Sequence, residues 1–581
     1  MSVSTGGAVL TSVIASRLKT IGERMGVVVE RSARSPLLVE GRDFSLGIYD
    51  TDGTLIEQTE YIPVLGYATT PGMRAIAHAF ADNVKEGDVV LHNDPYTGGN
   101  QLSDWKVAKP VFHDGVHFAW VVIAAHQADV GGAVPGSYNP NATDMWQEGL
   151  RITPLKLYDG GKRRDDVWNF VFGNVRLDVV ADDVTAMIGA CTVGERELKA
   201  LVGRYGLDAY RDATRGLLDA AEQSARAVIA EIPDGTYRAE WYVNDDGIDH
   251  DGRWTIRIAI TVDGDRIVFD FDGTDGQAAG YVNAPLAVTL SSVMIAFFMI
   301  AAREIPHNDG VMRCIEVRAP EGSIVNPSFP APSGFGNHLS DQIAALIMLA
   351  LAEAVPEQVT ACWNHLLATI VAGWNSRAGG PYVDILINAC KGGGGGTFGA
   401  DGYDHIGLIT SGGAIAAQDP EMFEVVNPHF LTRYEYLPDS AGAGQWRGGL
   451  GVETEFVFTD SGIQASVFGD AGTPDMAAFG ILGGGAGCPN LVELTYPDGR
   501  VYRTRLKDLV SDIPAGTVYR QVAGGGGGYG DPQLRPAGRV AEEVRYGTIS
   551  AQSARDDYGV AVDPDTFEVD EAETARLRSH D

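Results

Sequence analysis

Residues 92–132 read HNDPYTGGNQLSDWKVAKPVFHDGVHFAWVVIAAHQADVGG. Two strand-like runs, VAKPVF (107–112) and VHFAWVVIAA (116–125), flank His113-Asp114-Gly115. An Asp-Gly pair between two β-forming runs signals a hairpin, because both residues tolerate the positive φ that a tight turn demands. His126 then stands just past the end of a buried strand, a place where functional side chains commonly emerge. Asp94 and Asp104 lie on the loop entering the hairpin. Asp129 follows His126 in His126-Gln127-Ala128-Asp129, directly before Gly131-Gly132, and Asp43 opens an earlier strand-like run.

Spacing alone leaves two readings of these residues open. In one, imidazole and carboxylates converge on a divalent metal, which needs three or four such donors. In the other, Asp94 starts a turn before Pro95, Asp104 caps a strand and His126 is a satisfied core histidine. Nucleophilic catalysis has less support: there is no G-x-S-x-G elbow and no cysteine with a local signature. Ser137 and Ser333 sit in turn chemistry, and His338 reads equally as a structural loop residue.

Working outward, the chain is acidic: 44 basic against 77 acidic side chains give a formal charge of −33. That balance argues against nucleic acid or an anionic membrane as partner. The cysteines (Cys191, Cys314, Cys362, Cys390, Cys488) are scattered without a C-x-x-C pair, which fits a reducing compartment. The longest apolar run, Ala287 to Ala302, has 16 residues and contains Thr289, Ser291 and Ser292. A membrane span needs about 20, so a buried helix is expected. No basic segment precedes an apolar core at the N-terminus, and a cytoplasmic protein is expected.

Apolar positions at helical spacing (Val13, Ile14, Leu18, Ile21, Met25) predict an amphipathic helix over 10–30. Asp52-Gly53 predicts a second hairpin, and 181–231 is helical by pattern. A break at Ile232-Pro233-Asp234-Gly235 leads into alternating residues 236–275, read as a β-meander, while 283–302 and 339–355 read as buried helices. Beyond about 380 the chain is β-rich and glycine-laden. None of its glycine runs matches a phosphate loop, since Lys391 precedes its glycines, so they are read as tight loops. The domain expectation is an N-terminal α/β region over 1–232 carrying the candidate site, a β-rich region over 233–535, and a charged, loosely packed tail over 536–581.

Several segments in order carry a resemblance: RDFSLGIYDTDGTLIEQ (42–58), NDPYTGG (93–99), HQADVGGAVPGS (126–137), IPHNDGVMRCIEVRAPEGSIVNP (305–327), YEYLPDSAGAGQWRGGLGVE (434–453) and GGGGGYGDP (524–532). With these, the chain resembles the hydantoinase B/oxoprolinase family over nearly its whole length. The resemblance implies an α+β subunit with large mixed and antiparallel sheets, buried helices and glycine-rich loops. It also implies a hetero-oligomer in which a hydantoinase A-type, actin-like ATPase partner binds ATP and phosphorylates the substrate. This subunit would then hydrolyse a cyclic amide such as a hydantoin, a lactam or a 5-oxoproline-like ring. Two alternatives stay open: a subunit of an acetone- or acetophenone-type ketone carboxylase, and a non-catalytic structural subunit.

The implied metal, which could be Zn, Mn or Fe, falls on Asp43, Gln101, Asp104, His126 and Asp129. Asp104, Asp129 and His126 are the implied catalytic groups. Three departures stand out. Family hydrolases read G-G-T-H-L-P-D where this chain reads GGNQLSD (98–104), so Gln101 replaces a histidine; a neutral amide oxygen is a weaker ligand than imidazole for borderline metals. Val64 and Leu65 stand where a second histidine is usual, and His126-Gln127 replaces a His-His pair.

Overall fold

The structure, a computed structural model, describes residues 5–59, 61–301 and 305–579. Within these, the backbone divides into two compact units: residues up to 242 with 248–343, and residues 243–247 with 344 onward.

The 92–132 stretch anchors the first unit. The strands β1 (Phe44–Tyr49), β2 (Leu55–Thr59), β3 (Val89–His92), β4 (Asp104–His113), β5 (Val116–His126), β6 (Leu155–Asp159) and β7 (Lys162–Arg163) form one sheet. Their order is β2-β1-β5-β4-β3-β6-β7, with every neighbouring pair antiparallel. Asp114 and Gly115 both take positive φ, 49° and 78°, the two-residue turn whose twist matches the flanking strands. The β4–β5 pairing runs beyond the predicted segments until Asp104 faces His126.

Helices α1 (Thr5–Ser32), α5 (Val179–Tyr205) and α6 (Leu207–Ile229) follow the predicted periodicity, while α2 (Pro36–Val39), α3 (Pro63–Ala79) and α4 (Asp165–Phe172) lie where no helix was read from the sequence. One sheet face (Leu46, Ile48, Trp105, Val107, Val121, Ile123) packs with Ile14, Leu18 and Met25 of α1 and Val184 and Met187 of α5. The other face (Val90, Ala108, Trp120, Val122) packs with Met73 and Ile76 of α3. Burial on both faces is why the β5 sequence is apolar without alternation.

The predicted helix over 283–302 is α7 (Leu286–Ala301), and Ala302 lies outside the described residues. Its hydroxyls are satisfied: Thr289 donates to Val325 O at 2.6 Å and Ser291 to Val64 O at 2.9 Å. No described helix is long and apolar enough to cross a membrane. Strands Arg253–Asp263 and Arg266–Asp270 form the expected hairpin, and Ile315–Arg318 adds to it in parallel. The units do not divide at Ile232-Pro233-Asp234-Gly235, because most of 233–343 packs with the first unit. Those turn residues mark a change of element there, from α6 into the strand Gly235–Asn244.

The second unit departs from expectation in two ways. Its glycine runs at 392–396, 447–451 and 524–528 are not surface loops but buried segments bonded backbone to backbone, whereas 482–487 is partly exposed. Gly393 N donates to Gly524 O at 3.0 Å, Gly396 N to Gly527 O at 2.9 Å, Gly442 N to Gly526 O at 2.8 Å and Gly449 N to Gly394 O at 2.7 Å. Chains this close leave no room for a Cβ. Residues 536–579 are also not loosely packed. Helices Ala537–Tyr546, Ala551–Asp556 and Glu571–Arg578 enclose a core of Val540, Val544, Ile549, Ala554, Tyr558 and Val560. Their charges are paired inside: Arg535, 1% exposed, bonds Asp401 at 2.8 Å and Glu543 at 2.6 Å. Charge-rich composition hid this, because buried ion pairs look like solvated ones in sequence.

A Cβ on Gly526 would lie 1.9 Å from Gly394 O, whereas one on Gly538, in the helix Ala537–Tyr546, meets nothing within 4 Å. Gly526→Ala is therefore expected to destabilise by more than about 4 kcal/mol. Gly538→Ala should be neutral or stabilise by up to about 1 kcal/mol. Thermal melts of the two variants beside the wild type check both.

Candidate active site

The register of the hairpin builds the site. Asp104, the first residue of β4, and His126, the last of β5, are directly opposed, and His126 N donates to Asp43 O at 3.1 Å. Asp104 Oδ1 lies 2.9 Å from His126 Nδ1, and Gln101 Nε2 donates to the same carboxylate oxygen at 3.3 Å. Four of the residues singled out in the sequence, Asp43, Gln101, Asp104 and His126, are thus brought together. Asp104 is 0% and His126 4% exposed, so their interaction is screened little by solvent. Three buried atoms here lack a protein partner: Asp104 Oδ2, His126 Nε2 and Gln101 Oε1.

Asp129 is not among them. Its carboxylate accepts from Gly131 N (3.0 Å), Gly136 N (3.1 Å), Arg176 N (2.9 Å) and an Arg176 guanidinium nitrogen (3.0 Å). It is spent on shaping the loop after β5. Asp94 is spent likewise, capping Pro95–Thr97 and pairing with Arg151 at 2.8 Å. Ser137 is a turn residue with φ 70°, its hydroxyl donating to Gly131 O.

The electrostatics follow from burial. Burial raises Asp43 to about 6, with Asp104 adding to the effect and His126 opposing it. For His126, burial disfavours the charged ring, but the hydrogen bond to Asp104 and the charges of Asp104 and Asp43 outweigh it. The imidazole is held above its ordinary value. With Nδ1–H directed at Asp104, Nε2 is the nitrogen left to exchange a proton.

Two residues given no role from the sequence join the site. The Tyr138 ring stacks on His126 with centroids 6.1 Å apart and planes at 20°. Its hydroxyl is hydrogen-bonded to His338 Nε2 at 2.9 Å. Burial, helped by the His126 charge, pulls His338 down to about 3, so the ring is neutral. Tyr138 follows the Pro135-Gly136-Ser137 turn, which carries no signal of its own, and His338 lies 200 residues further on. Only the fold joins them.

The residues as placed do not fit a resident divalent ion. His126 Nδ1 and Asp104 Oδ1 face each other, and Asp129 is bound elsewhere. Among the described residues no three His, Cys, Asp or Glu side chains are grouped to hold a metal ion. Lys106, fully buried and with Nζ unpartnered, already brings a positive charge within electrostatic reach of Asp104. Part of the carboxylate charge that a dication would need is thus already offset.

Two outcomes follow. A carboxyl whose folded value lies above its unfolded 3.8 binds its proton more tightly when folded, so Asp43 costs stability as pH rises from 3.8 through about 6. Asp43→Asn should therefore gain melting temperature relative to wild type between pH 4 and about 7, as scanning fluorimetry across that range would show. Asp129→Ala leaves buried donors and Arg176 without their acceptor. It should lower stability by roughly 3 kcal/mol, measured as a shift in urea midpoint.

Residues 7–532 match the family model described as Hydantoinase B/oxoprolinase. Over 595 aligned residues, 99% of this chain and 100% of the relative, the chain is 32% identical to the caprolactamase subunit beta of Pseudomonas jessenii. The crystal structure of ATP-dependent caprolactamase from that organism superposes with a TM-score of 0.91, covering 100% of each chain at 32% identity. The 5-oxoprolinase 1 of Arabidopsis thaliana is 28% identical over 559 residues, which cover 91% of this chain and 42% of that protein. A nucleotide-free structure of acetone carboxylase has a TM-score of 0.92 over 98% of this chain and 82% of its own, a likeness of fold at 20% identity. The α+β architecture expected from the sequence is therefore shared with solved structures, and the chain belongs to the hydantoinase B/oxoprolinase family.

Proposed function

We propose that this chain is the hydrolytic subunit of an ATP-dependent enzyme that opens a cyclic amide, working with a separate ATP-binding subunit. The observation that carries the reading is the buried Asp104–His126 pair with Nε2 unpartnered, in a chain collinear with the beta subunit of a caprolactamase. The partner is an inference from that relative's being a subunit of an enzyme called ATP-dependent.

An unstrained amide resists water because the nitrogen lone pair stabilises its carbonyl. Transfer of the γ-phosphoryl group of ATP to the amide oxygen, on the partner, removes that resonance and releases ADP. His126 Nε2 takes a proton from water as it attacks the activated carbon, and Asp104 steadies the resulting imidazolium through Nδ1–H. The imidazolium returns the proton to the ring nitrogen as the C–N bond breaks, leaving an acyl phosphate. A second water releases phosphate, so each turnover consumes one ATP and two waters and yields the ring-opened amino acid. Tyr138, fixed by His338, holds the imidazole plane. No step is routed through a metal, since the residues present do not fit one.

In the complex with its ATPase, ADP release and ring-opened product should appear together with a lactam, a hydantoin or 5-oxoproline, without bicarbonate. His126→Ala should lower kcat by about 10²–10⁴-fold. Bicarbonate-dependent turnover of a simple ketone would instead identify a carboxylase subunit. Full activity in His126→Ala would identify a non-catalytic one.

A further inference from the structure

Behind Asp104 on the same face of β4 lies Lys106, one pleat along the strand. It pairs with Ala124 of β5 and with His92 of β3, and Ala124 pairs in turn with Ser45 of β1. A row of Ser45, Ala124, Lys106 and His92 thus runs across the sheet beneath α3. It is adjacent to the end of the hairpin that holds Asp104 and His126. Gly72 of α3 makes room for the lysine stem, since a Cβ there would lie 3.2 Å from Lys106 Cδ and 3.3 Å from His92 Cε1.

Lys106 is 0% exposed and its Nζ has no hydrogen-bond partner; Ser45 Oγ and His92 Nδ1 beside it have none either. A buried ammonium without a partner carries a large desolvation cost, so a purely structural role would be served better by methionine or leucine. Burial pulls the Lys106 ammonium down to about 8, with Asp104 opposing, so the lysine is charged below that pH. It acts on Asp104 on one side and on His92 on the other, and His92 Nε2 is tied to Thr97 Oγ1 at 2.8 Å. The acidic side of the site consists of Asp43 and Asp104, and its cationic side of His126 and Lys106. Gln101 adds no charge.

Building on the function proposed above, we propose that Lys106 is a positioning residue of this site. Its ammonium is a built-in cation that balances the Asp43 and Asp104 carboxylates, so that the site works without a divalent ion. The ammonium lies behind the Asp104–His126 pair and acts through Asp104. It keeps a fixed positive field where negative charge builds on the substrate oxygens, as a preorganised charge in a dry site does.

Three measurements test this on the full chain. First, elemental analysis and calorimetric titration with Mn²⁺ and with Zn²⁺: the wild type is expected to carry and bind far less than one equivalent. Second, turnover of the ATPase complex after chelator treatment with the Mg²⁺ of MgATP restored, expected unchanged. Third, Lys106→Met, expected to melt at or above the wild-type temperature, yet to turn over at least about 100-fold more slowly with KM for ATP unchanged. One tightly bound equivalent of Mn²⁺ or Zn²⁺ in the wild type, loss of turnover after chelation, or full turnover in Lys106→Met would each overturn the proposal. If the wild-type complex opens no cyclic amide, the functional reading fails by itself. The metal titrations of wild type and Lys106→Met then still decide the question for Lys106.

Discussion

The antiparallel pairing of β4 with β5 is the constraint on which the first unit and its site depend. A two-residue turn at Asp114-Gly115 sets the register. Because side chains alternate with period two, a slip by one residue would exchange the two buried faces. That slip is forbidden on both sides, by the α1 and α5 core on one face and by the α3 contacts on the other. The same register that satisfies the core places Asp104 against His126 at the open end of the hairpin. Packing therefore fixes the site's geometry, and the energy that holds it comes from hydrophobic burial well away from it.

Burial also makes the site reactive. A carboxylate and an imidazole this close in solvent would interact weakly; at 0% and 4% exposure the Asp104 carboxylate holds the His126 ring above its ordinary value. Asp129, three residues from His126, shows how little proximity in sequence decides. Its loop turns it onto Gly131, Gly136 and Arg176, where it organises backbone. The lysine of Asp104-Trp105-Lys106 lies on the site's side of the sheet because strands alternate, whereas Trp105 enters the opposite core.

Much of this was legible in the sequence. Asp114-Gly115 and Asp52-Gly53 gave both hairpins, and the helical periodicity of 10–30 and 181–231 gave the helices packed around the sheet. The grouping of Asp104 with His126 was suggested by the strand ends and by family resemblance. The parts that were not legible share a physical cause, which is contact between residues distant in the chain. Tyr138 and His338 meet only through folding. Three of the glycine runs, read as loops, are interior segments because they bond one another. The last helices, read as a charged tail, are held by Arg535 and Arg447 reaching Asp401 and Glu543.

The central claim is that Asp104 holds His126 in its Nδ1–H tautomer with Nε2 poised for proton transfer. It is tested most directly by NMR of histidine-labelled chain, following the His126 ring through a pH titration in wild type and in Asp104→Asn. The expected result is a wild-type midpoint above the ordinary histidine value of 6.5 that falls in the variant, with the proton on Nδ1 in the neutral ring. A wild-type midpoint at or below 6.5, unmoved by Asp104→Asn, would contradict it.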